Sequence, residues 1–415
     1  MSSLEDYKEQ AKEEMERGEY GNAIRSITEA ITIEKDNPTL YFTRGLAYFM
    51  RHDYDLAIED LTAVLAVEHQ NLDALLTRAN AFFRNNDWDS AISDYSEFIN
   101  IDPKHANVPY ERRALAFASI GKLNEAIADY NRAIEHQASG KLYFQRAAMK
   151  YSLADFDGTI EDCTAAIEHH YPAPEVYSAR GSAYAQKKDY PAAAADYSEA
   201  ITIDRRDSHS YYNRGAVYYQ QGRFDEAISD FSQVLKIKPD DSNAYYARAL
   251  AYLDQADYRN ARRDFSQVIK HQPNHAAAYH KRGIVYLKQD QFDKGLDDLE
   301  KAVELAPANP EYLTSLGELE IELEAYDNAI GYLKRAVLHQ ESNGTILHCR
   351  ILGGLAVAYY GNTQQSEASQ YYNLLAECDL AYGETDVWKT RFGWPEILLE
   401  AASEMIEAIE AEEDD

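Results

Sequence analysis

Apolar residues recur through nearly the whole chain at spacings of three and four, and polar residues fill the intervals, the pattern of amphipathic helices with one buried face. Residues 208–241, SHSYYNRGAVYYQQGRFDEAISDFSQVLKIKPDD, show the unit. Tyr211, Gly215 and Tyr218 fall on one face of a first helix, and Ala227, Phe231 and Val234 repeat the spacing on a second. Between them Gly222 tolerates the left-handed conformation that ends a helix, and Pro239 closes the second because it cannot donate the next backbone hydrogen bond. The prediction is a helical hairpin.

That hairpin returns along the chain. Ala11, Gly45, Ala79, Ala114, Ala147, Gly181, Gly215, Ala249, Gly283, Gly317 and Ala356 recur every 33 to 35 residues, with one longer step at the end. A period of this length marks a solenoid, because one hairpin cannot bury its apolar face alone and must stack on neighbours. The small residue has a packing reason: two helices approach closely only where a side chain is nearly absent. A second small residue follows twelve positions later, as in Gly45 with Ala57, Ala79 with Ala91 and Gly215 with Ala227, whereas Ala147 is matched by Thr159.

Eight of the small residues are preceded by arginine: Arg44, Arg78, Arg113, Arg146, Arg180, Arg214, Arg248 and Arg282. Sixteen residues after each arginine stands an aspartate: Asp60, Asp94, Asp129, Asp162, Asp196, Asp230, Asp264 and Asp298. The remaining three repeats lack both, with Gln10 and Ser26, Leu316 and Tyr332, and Leu355 and Tyr371 at the two sites. Co-occurrence points to a two-point contact between guanidinium and carboxylate within each repeat, which satisfies the arginines internally and leaves no anion-binding track.

With these residues in place the chain resembles the tetratricopeptide repeat family over residues 4 to 384. The family's first-helix aromatic is matched by Tyr7, Tyr41, Tyr110, Tyr143, Tyr177, Tyr211, Tyr245 and Tyr279, expected as filler between helices. The resemblance implies an all-α, right-handed superhelical solenoid of about eleven helix-turn-helix repeats, with first helices lining a concave groove that holds a peptide segment of a protein partner. Groove sites read Phe42, Leu46 and Phe49; Leu76, Asn80 and Phe83; Phe144 and Tyr151; Tyr212, Asn213, Ala216 and Tyr219; Tyr246 and Leu250. This is an aromatic surface with few charges. The chaperone-binding branch of the family uses a carboxylate clamp, whose sites here read Lys8, Lys12, Thr43, Asp73 and Thr77; only Lys8 fits. The asparagine ladder of the glycosyltransferase branch is absent, with only Asn213 at its site, and so is the HPD tripeptide of J-domains.

Composition narrows the class. The net charge of −30 argues against nucleic acid, which is bound by neutralising phosphates with Lys and Arg. Residues 310–415 hold 21 acidic and 5 basic side chains, so 16 of the 30 excess negative charges lie in the last quarter. That quarter suggests an alternative, a chaperone-like adaptor or assembly factor binding a basic partner. Cys163, Cys349 and Cys378 lie far apart without a CxxC pair, so neither a disulfide framework nor a zinc cluster is expected. No apolar run long enough to span a membrane occurs, the N-terminus lacks a secretory core, and a cytoplasmic protein without membrane contact is expected. Asn343-Gly344-Thr345 matches a glycosylation acceptor but reads as a turn.

Catalytic motifs are missing: no phosphate-binding loop, no G-x-S-x-G and no H-E-x-x-H, so a non-enzymatic scaffold without cofactor is expected. His271, His275 and His280 have the spacing of a metal series, but Pro273 interrupts it and a surface turn is the expectation. At the ends, the charged first helix with Glu5, Lys8, Glu9, Lys12, Glu13 and Glu16 reads as a cap. The spacing slips near residues 340–345, and Gly353-Gly354 stands in the eleventh first helix. Residues 385–415 read as a second segment: Trp388, Trp394, then a helix opened by Pro395 and an acidic tail. Ile397, Leu398, Ala401, Met405, Ile406 and Ile409 give that helix one apolar face, expected to close the array, with self-association through this end as the alternative.

Overall fold

The computed structural model describes residues 3–340, 346–378 and 385–413, and among them finds helices and no strand. The chain divides into two compact units, Met1–Asn213 and Arg214–Asp415. In the first, α1 (Leu4–Glu16) pairs with α2 (Tyr20–Ile33), α3 (Pro38–Met50) with α4 (Tyr54–Val67), and α5 (Leu72–Arg84) with α6 (Trp88–Ile101). After a short turn at Pro103–His105, α7 (Asn107–Ser119) pairs with α8 (Leu123–His136), α9 (Gly140–Ser152) with α10 (Phe156–Glu168), and α11 (Pro174–Gln186) with α12 (Tyr190–Ile203). Next comes α13 (Ser208–Gln220), which carries residues of both units.

In the second unit α14 (Phe224–Ile237) is followed by the pairs α15 (Ser242–Asp254) with α16 (Tyr258–His271) and α17 (Ala276–Leu287) with α18 (Phe292–Leu305). Then come α19 (Pro310–Glu322) with α20 (Tyr326–His339) and α21 (Ile346–Gly361) with α22 (Gln365–Cys378). Two further helices, α23 (Thr385–Phe392) and α24 (Glu396–Glu413), pack on each other and on α21, and α24 also reaches α19. The repetition read from the small residues is therefore a repetition of two-helix units.

Local chemistry starts and stops these helices. Asn37, Asn71, Asp87, Asp155, Asp189, Asp241, Asp257 and Asn309 each accept a hydrogen bond from a first-turn amide, the N-cap interaction. Pro38, Pro174 and Pro310 occupy the first helical position, where a missing N–H costs nothing. At the turn inside the hairpins one residue is left-handed: Gly222 has φ +71°, and its neighbour Arg223 donates its N–H to Tyr218 O at 2.9 Å. The same site elsewhere holds His52, Asn86, Ala154, Lys188, Ala256, Asp290, Glu324 and Thr363, so its geometry is imposed by the packed hairpin rather than by glycine.

The close approach expected at the small residues is present: a Cβ on Gly181 or Gly283 would meet the carbonyl oxygen of the facing Ala193 or Gly295 at 3.2 Å, and a larger side chain crowds the same gap. A Cβ added to Gly215 would sit 2.9 Å from Phe231 Cε1 and 3.2 Å from Asp230 Cβ. At Gly317 it would meet Leu333 Cγ at 2.7 Å. The gap is therefore filled by a large side chain four residues beyond the facing small one, while Ala57, Ala91, Ala126, Ala193, Ala227, Ala261 and Ala329 are wholly buried. Thr159, the exception, is also buried and spends its hydroxyl on Asp155 O at 2.7 Å. The largest apolar cluster joins α18–α22 to Trp388, Phe392, Trp394, Leu398, Met405 and Ile409. The glycosylation-like Asn343-Gly344-Thr345, the extra residues at 341–345 and the expected boundary at 384/385 lie outside the described residues or at their edge.

Candidate functional site

All eight arginines meet the aspartate of their own repeat in a two-point contact. Arg78 Nε and Nη2 donate to Asp94 Oδ2 and Oδ1 at 2.7 and 2.8 Å, and Arg146 meets Asp162 at 2.8 and 2.6 Å. The other six pairs have the same geometry, from Arg44 with Asp60 to Arg282 with Asp298. The third guanidinium nitrogen reaches back one repeat: Arg78 Nη1 to Thr62 Oγ1 at 3.1 Å, Arg113 to Ser96 at 2.8 Å, Arg248 to Ser232 at 2.8 Å. The pairs are thus struts within hairpins and staples between them. The tyrosines expected as filler do a further job, since Tyr41, Tyr110, Tyr143, Tyr177, Tyr245 and Tyr279 lie against the guanidinium planes at 5.4 to 5.8 Å. In the first repeat, Glu14 accepts from both Gln10 and Ser26, at 3.0 and 2.8 Å. With their cations and anions matched, the arginines offer no track for an anionic ligand.

The ten side chains expected in the groove, Phe42, Phe49, Asn80, Phe83, Phe144, Tyr151, Tyr212, Asn213, Tyr219 and Tyr246, are all half-buried. Expected to stand clear of the second helix, several instead touch it. Phe49, Phe83, Tyr151 and Tyr219 pack against Tyr54, Trp88, Phe156 and Phe224, the first residues of their second helices, at 4.9 to 5.8 Å between ring centres. The reason is the short turn, which folds the next helix's first side chain onto the end of the preceding one. Asn80 Oδ1 accepts from Tyr95 OH at 2.7 Å, and Asn213 Nδ2 bonds His209 at 2.9 Å. Tyr219 OH donates to Asp254; burial, then this carboxylate, pushes the phenol up to about 12. Each ring keeps one exposed side and is fixed by its other.

The three aromatic-rich offsets from the small residue, three before, one after and four after, have a different fate near the C-terminus. From Gly317 they give Thr314, Glu318 and Ile321, and from Ala356 they give Gly353, Val357 and Tyr360; all but the half-buried Tyr360 are buried. What covers them is the chain itself. A Cβ on Gly353 would lie 3.3 Å from both Phe392 and Trp388 and 3.5 Å from Trp394, so this glycine makes room for three rings. Trp394 Nε1 donates to Glu318 Oε1 at 2.7 Å, and the Arg350 guanidinium clasps both Glu318 oxygens, its Nε at 2.5 Å. Burial opposes the Arg350 charge, and Glu318 outweighs it, raising its pKa. The final helix expected to close the array buries Leu398, Ala402, Met405, Ile406 and Ile409 within the chain and leaves Ile397 exposed. It lies along the first-helix face of α19 and α21, a position that helix periodicity does not reveal.

The histidine series is a surface turn from His271 to His275 but not at His280. His275 caps α17, its ring accepting from Ala278 N at 3.1 Å, and His271 stacks on Tyr245. His280 is buried, 2 % exposed, because it occupies the groove offset of Gly283 and is covered by α19: its Nε2 lies 3.0 Å from Ser315 Oγ and its ring 4.6 Å from Tyr312. Burial and the Lys281 charge hold its pKa down at about 4. Among the described residues no group of three His, Cys, Asp or Glu side chains could hold a metal.

Models described as tetratricopeptide repeat match residues 8–66, 42–106, 76–141 and 280–344, 209–241, and 242–275, and one described as TPR repeat matches 181–222. The chain belongs to the tetratricopeptide repeat family. No curated protein matches it significantly by sequence. Among solved structures, the C-terminal part of a TPR repeat-containing protein from Cytophaga hutchinsonii is 20 % identical, covering 56 % of this chain and 96 % of its own, with a TM-score of 0.51. A tetratricopeptide repeat protein from Parabacteroides merdae is 20 % identical over 57 % of this chain and 94 % of its own, TM-score 0.45. The APC/C hetero-tetramer Cut9–Hcn1 aligns over 98 % of this chain and 96 % of its own at 12 % identity, TM-score 0.43. At 20 % identity the likeness to the Cytophaga hutchinsonii structure speaks for the fold alone. The TPR fold points to protein–protein interaction as the class of function. No described helix of this TPR chain is long and apolar enough to cross a membrane.

Proposed function

We propose that this TPR protein is a non-enzymatic scaffold that holds a peptide segment of a protein partner along the first-helix face, over Phe42, Phe49, Asn80, Phe83, Phe144, Tyr151, Tyr212, Asn213, Tyr219 and Tyr246. The observation that carries this reading is the contrast along one register. Where the chain supplies its own occupant, the groove offsets of α19 and α21 bury Trp388, Phe392 and Trp394; at the same offsets of α3, α5 and α9 the aromatic side chains are half-exposed. A surface that accepts an aromatic-rich helix in one place is suited to an apolar segment in the other, with affinity from apolar burial at about 25 cal/mol per Å². The working division is a repeat array over 4–384 and a closing segment over 385–415, in a cytoplasmic protein. Pull-down from native extract with the intact chain and with Phe49→Ala, Phe83→Ala and Tyr151→Ala combined tests it: loss of the captured partners is expected, and unchanged capture sinks the proposal.

A further inference from the structure

The second unit contains a cavity of about 790 Å³ where the chain's own C-terminal segment stops short. Its floor is α17 and α19, and one wall is the segment itself, at Phe392, Gly393, Pro395 and Ile397. The groove offsets of α17, which are His280, Ile284 and Leu287, all open into it, so the cavity continues the face already occupied over α19 and α21. Its apolar side is completed by Leu319 and by the exposed Leu323 and Ile397.

The polar side is acidic and incompletely matched. Four carboxylates line it, Asp290, Glu311, Glu318 and Glu322, beside the cations Lys281, Lys288 and Arg350. Glu311 is paired with Lys281 at 3.1 Å, and Glu318 with Arg350. Glu322 makes no ion pair or hydrogen bond among the described residues, and Lys288, the cation closest to it in effect, is exposed. Burial, then the Glu318 charge, pushes the Glu322 carboxyl up to about 7, the mark of a carboxylate short of a cation. A second buried group in the wall is also short of a partner: His280 Nδ1 has no hydrogen bond and stands 4.0 Å from Glu311 Oε1.

We propose that this cavity receives a lysine or arginine side chain with an adjacent large apolar residue from the partner segment, the cation pairing with Glu322 and the apolar side chain packing among Ile284, Leu287 and Leu319. The proposal rests on the reading of the first-helix face as a peptide-binding surface and adds the chemistry of the segment and the place where it is read. Charge complementarity selects the occupant. A basic group supplies what Glu322 lacks, whereas an acidic group would add a fifth carboxylate to four. The excess of 16 negative charges in residues 310–415 steers the same kind of partner toward this end.

The test uses the full chain, immobilised and panned with a phage-displayed library of random heptapeptides; the recovered peptides are then synthesised and titrated by fluorescence anisotropy. Recovered peptides should share a Lys or Arg next to Leu, Ile, Phe or Met. Glu322→Gln should weaken them at least tenfold, Glu322→Lys further, and Glu322→Asp, which keeps the charge, least, with thermal melts showing that each variant is folded. Peptides weakened by Phe83→Ala with Phe144→Ala but indifferent to Glu322→Gln would overturn the cavity and leave the groove reading standing. Recovered peptides without a basic residue would overturn the cavity as well. Recovery of no peptide would count against both.

Discussion

Residues 38–305 and residues 310–413 use one hairpin plan for opposite purposes. In the former, each first helix sends an arginine to an aspartate of its own second helix, and the groove offsets of α3, α5, α9, α13 and α15 carry half-exposed aromatic rings. In the latter, leucine and tyrosine replace the charged pair: Leu316 and Leu355 are buried, and Tyr371 stacks on Tyr359 at 5.5 Å. Among the described residues there, the buried charge pair Glu318 with Arg350 lies on the groove face, beneath Trp394. The Arg–Asp pair thus supplements the apolar core where the face is open and gives way to further apolar contacts where the face is covered. A buried ion pair fixes geometry at little net gain in stability, whereas apolar packing adds stability and also consumes the surface that could bind.

The largest effects come from breaking each region's own device. Trp388→Ala removes a fully buried indole from the cluster over Gly353 and should cost about 3–5 kcal/mol, read as a lowered midpoint in urea for the second unit. Asp94→Ala leaves the Arg78 guanidinium without its carboxylate and should cost a comparable 3–5 kcal/mol. The Arg78→Ala, Asp94→Ala double variant should recover part of that loss; strictly additive losses would mean that the two side chains do not act as a pair.

A second comparison concerns Gly353. Its Cβ-free surface faces three rings at 3.3 to 3.5 Å, so Gly353→Val overpacks the seam between α21 and the closing segment and should cost about 1–3 kcal/mol. Limited proteolysis should then cut near residues 385–395 faster than in the parent. In the open region the equivalent position is Phe42, where Phe42→Val meets no such seam and should leave proteolysis unchanged.

A smaller effect depends on pH. Buried His280, beside Lys281, Arg350, Glu311 and Tyr312, titrates near 4 in the fold against about 6.5 when unfolded, because burial and the two cations oppose its charge more than Glu311 favours it. The unfolded chain binds the extra proton, so stability is intact above pH 6.5 and declines as pH falls toward 4. His280→Asn should flatten that decline in urea titrations across the window; an unchanged slope would assign it to other groups.

The repeat, the hairpin and the Arg–Asp pairs were legible because each depends on one recurring offset, and sixteen residues between Arg78 and Asp94 is one turn-and-back of a hairpin whatever its surroundings. The closing segment was legible only as a helix. Its docking depends on Glu318, Arg350, Gly353 and Trp394, which are separated by up to 76 residues and do not recur, so no period announces them. The burial of His280 is hidden for the same reason: Pro273 points to a surface turn, but the burial of the ring is decided by Tyr312 and Ser315 of the next repeat. The contacts that Phe49, Phe83, Tyr151, Tyr219 and Tyr246 make with their second helices are not legible in the spacing, because a three-residue turn brings Tyr54, Trp88, Phe156 and Phe224 back onto the first four, and Phe265 meets Tyr246.

The smallest predicted effect sharpens the contrast between regions at the hairpin turns. Ala256 and Thr363 occupy equivalent left-handed sites, both with φ +57°, where Gly222 has φ +71°. In each turn the following residue donates its N–H to a carbonyl five residues back, Asp257 to Tyr252 at 2.8 Å and Gln364 to Tyr359 at 2.9 Å, so the conformation is held by the packed hairpin. A Cβ in this region costs roughly 1–2 kcal/mol, offset in part by the greater freedom that glycine has when unfolded. Ala256→Gly should therefore stabilise by about 0.5–1 kcal/mol. Thr363→Gly should gain more, since a branched Cβ is less tolerated at positive φ. If chemical denaturation shows Thr363→Gly to be neutral while Ala256→Gly stabilises, the C-terminal hairpin tolerates the strain by relaxing, and the apolar region is the softer of the two. An equal or larger gain means that its turn is held as firmly as those braced by the Arg–Asp pairs.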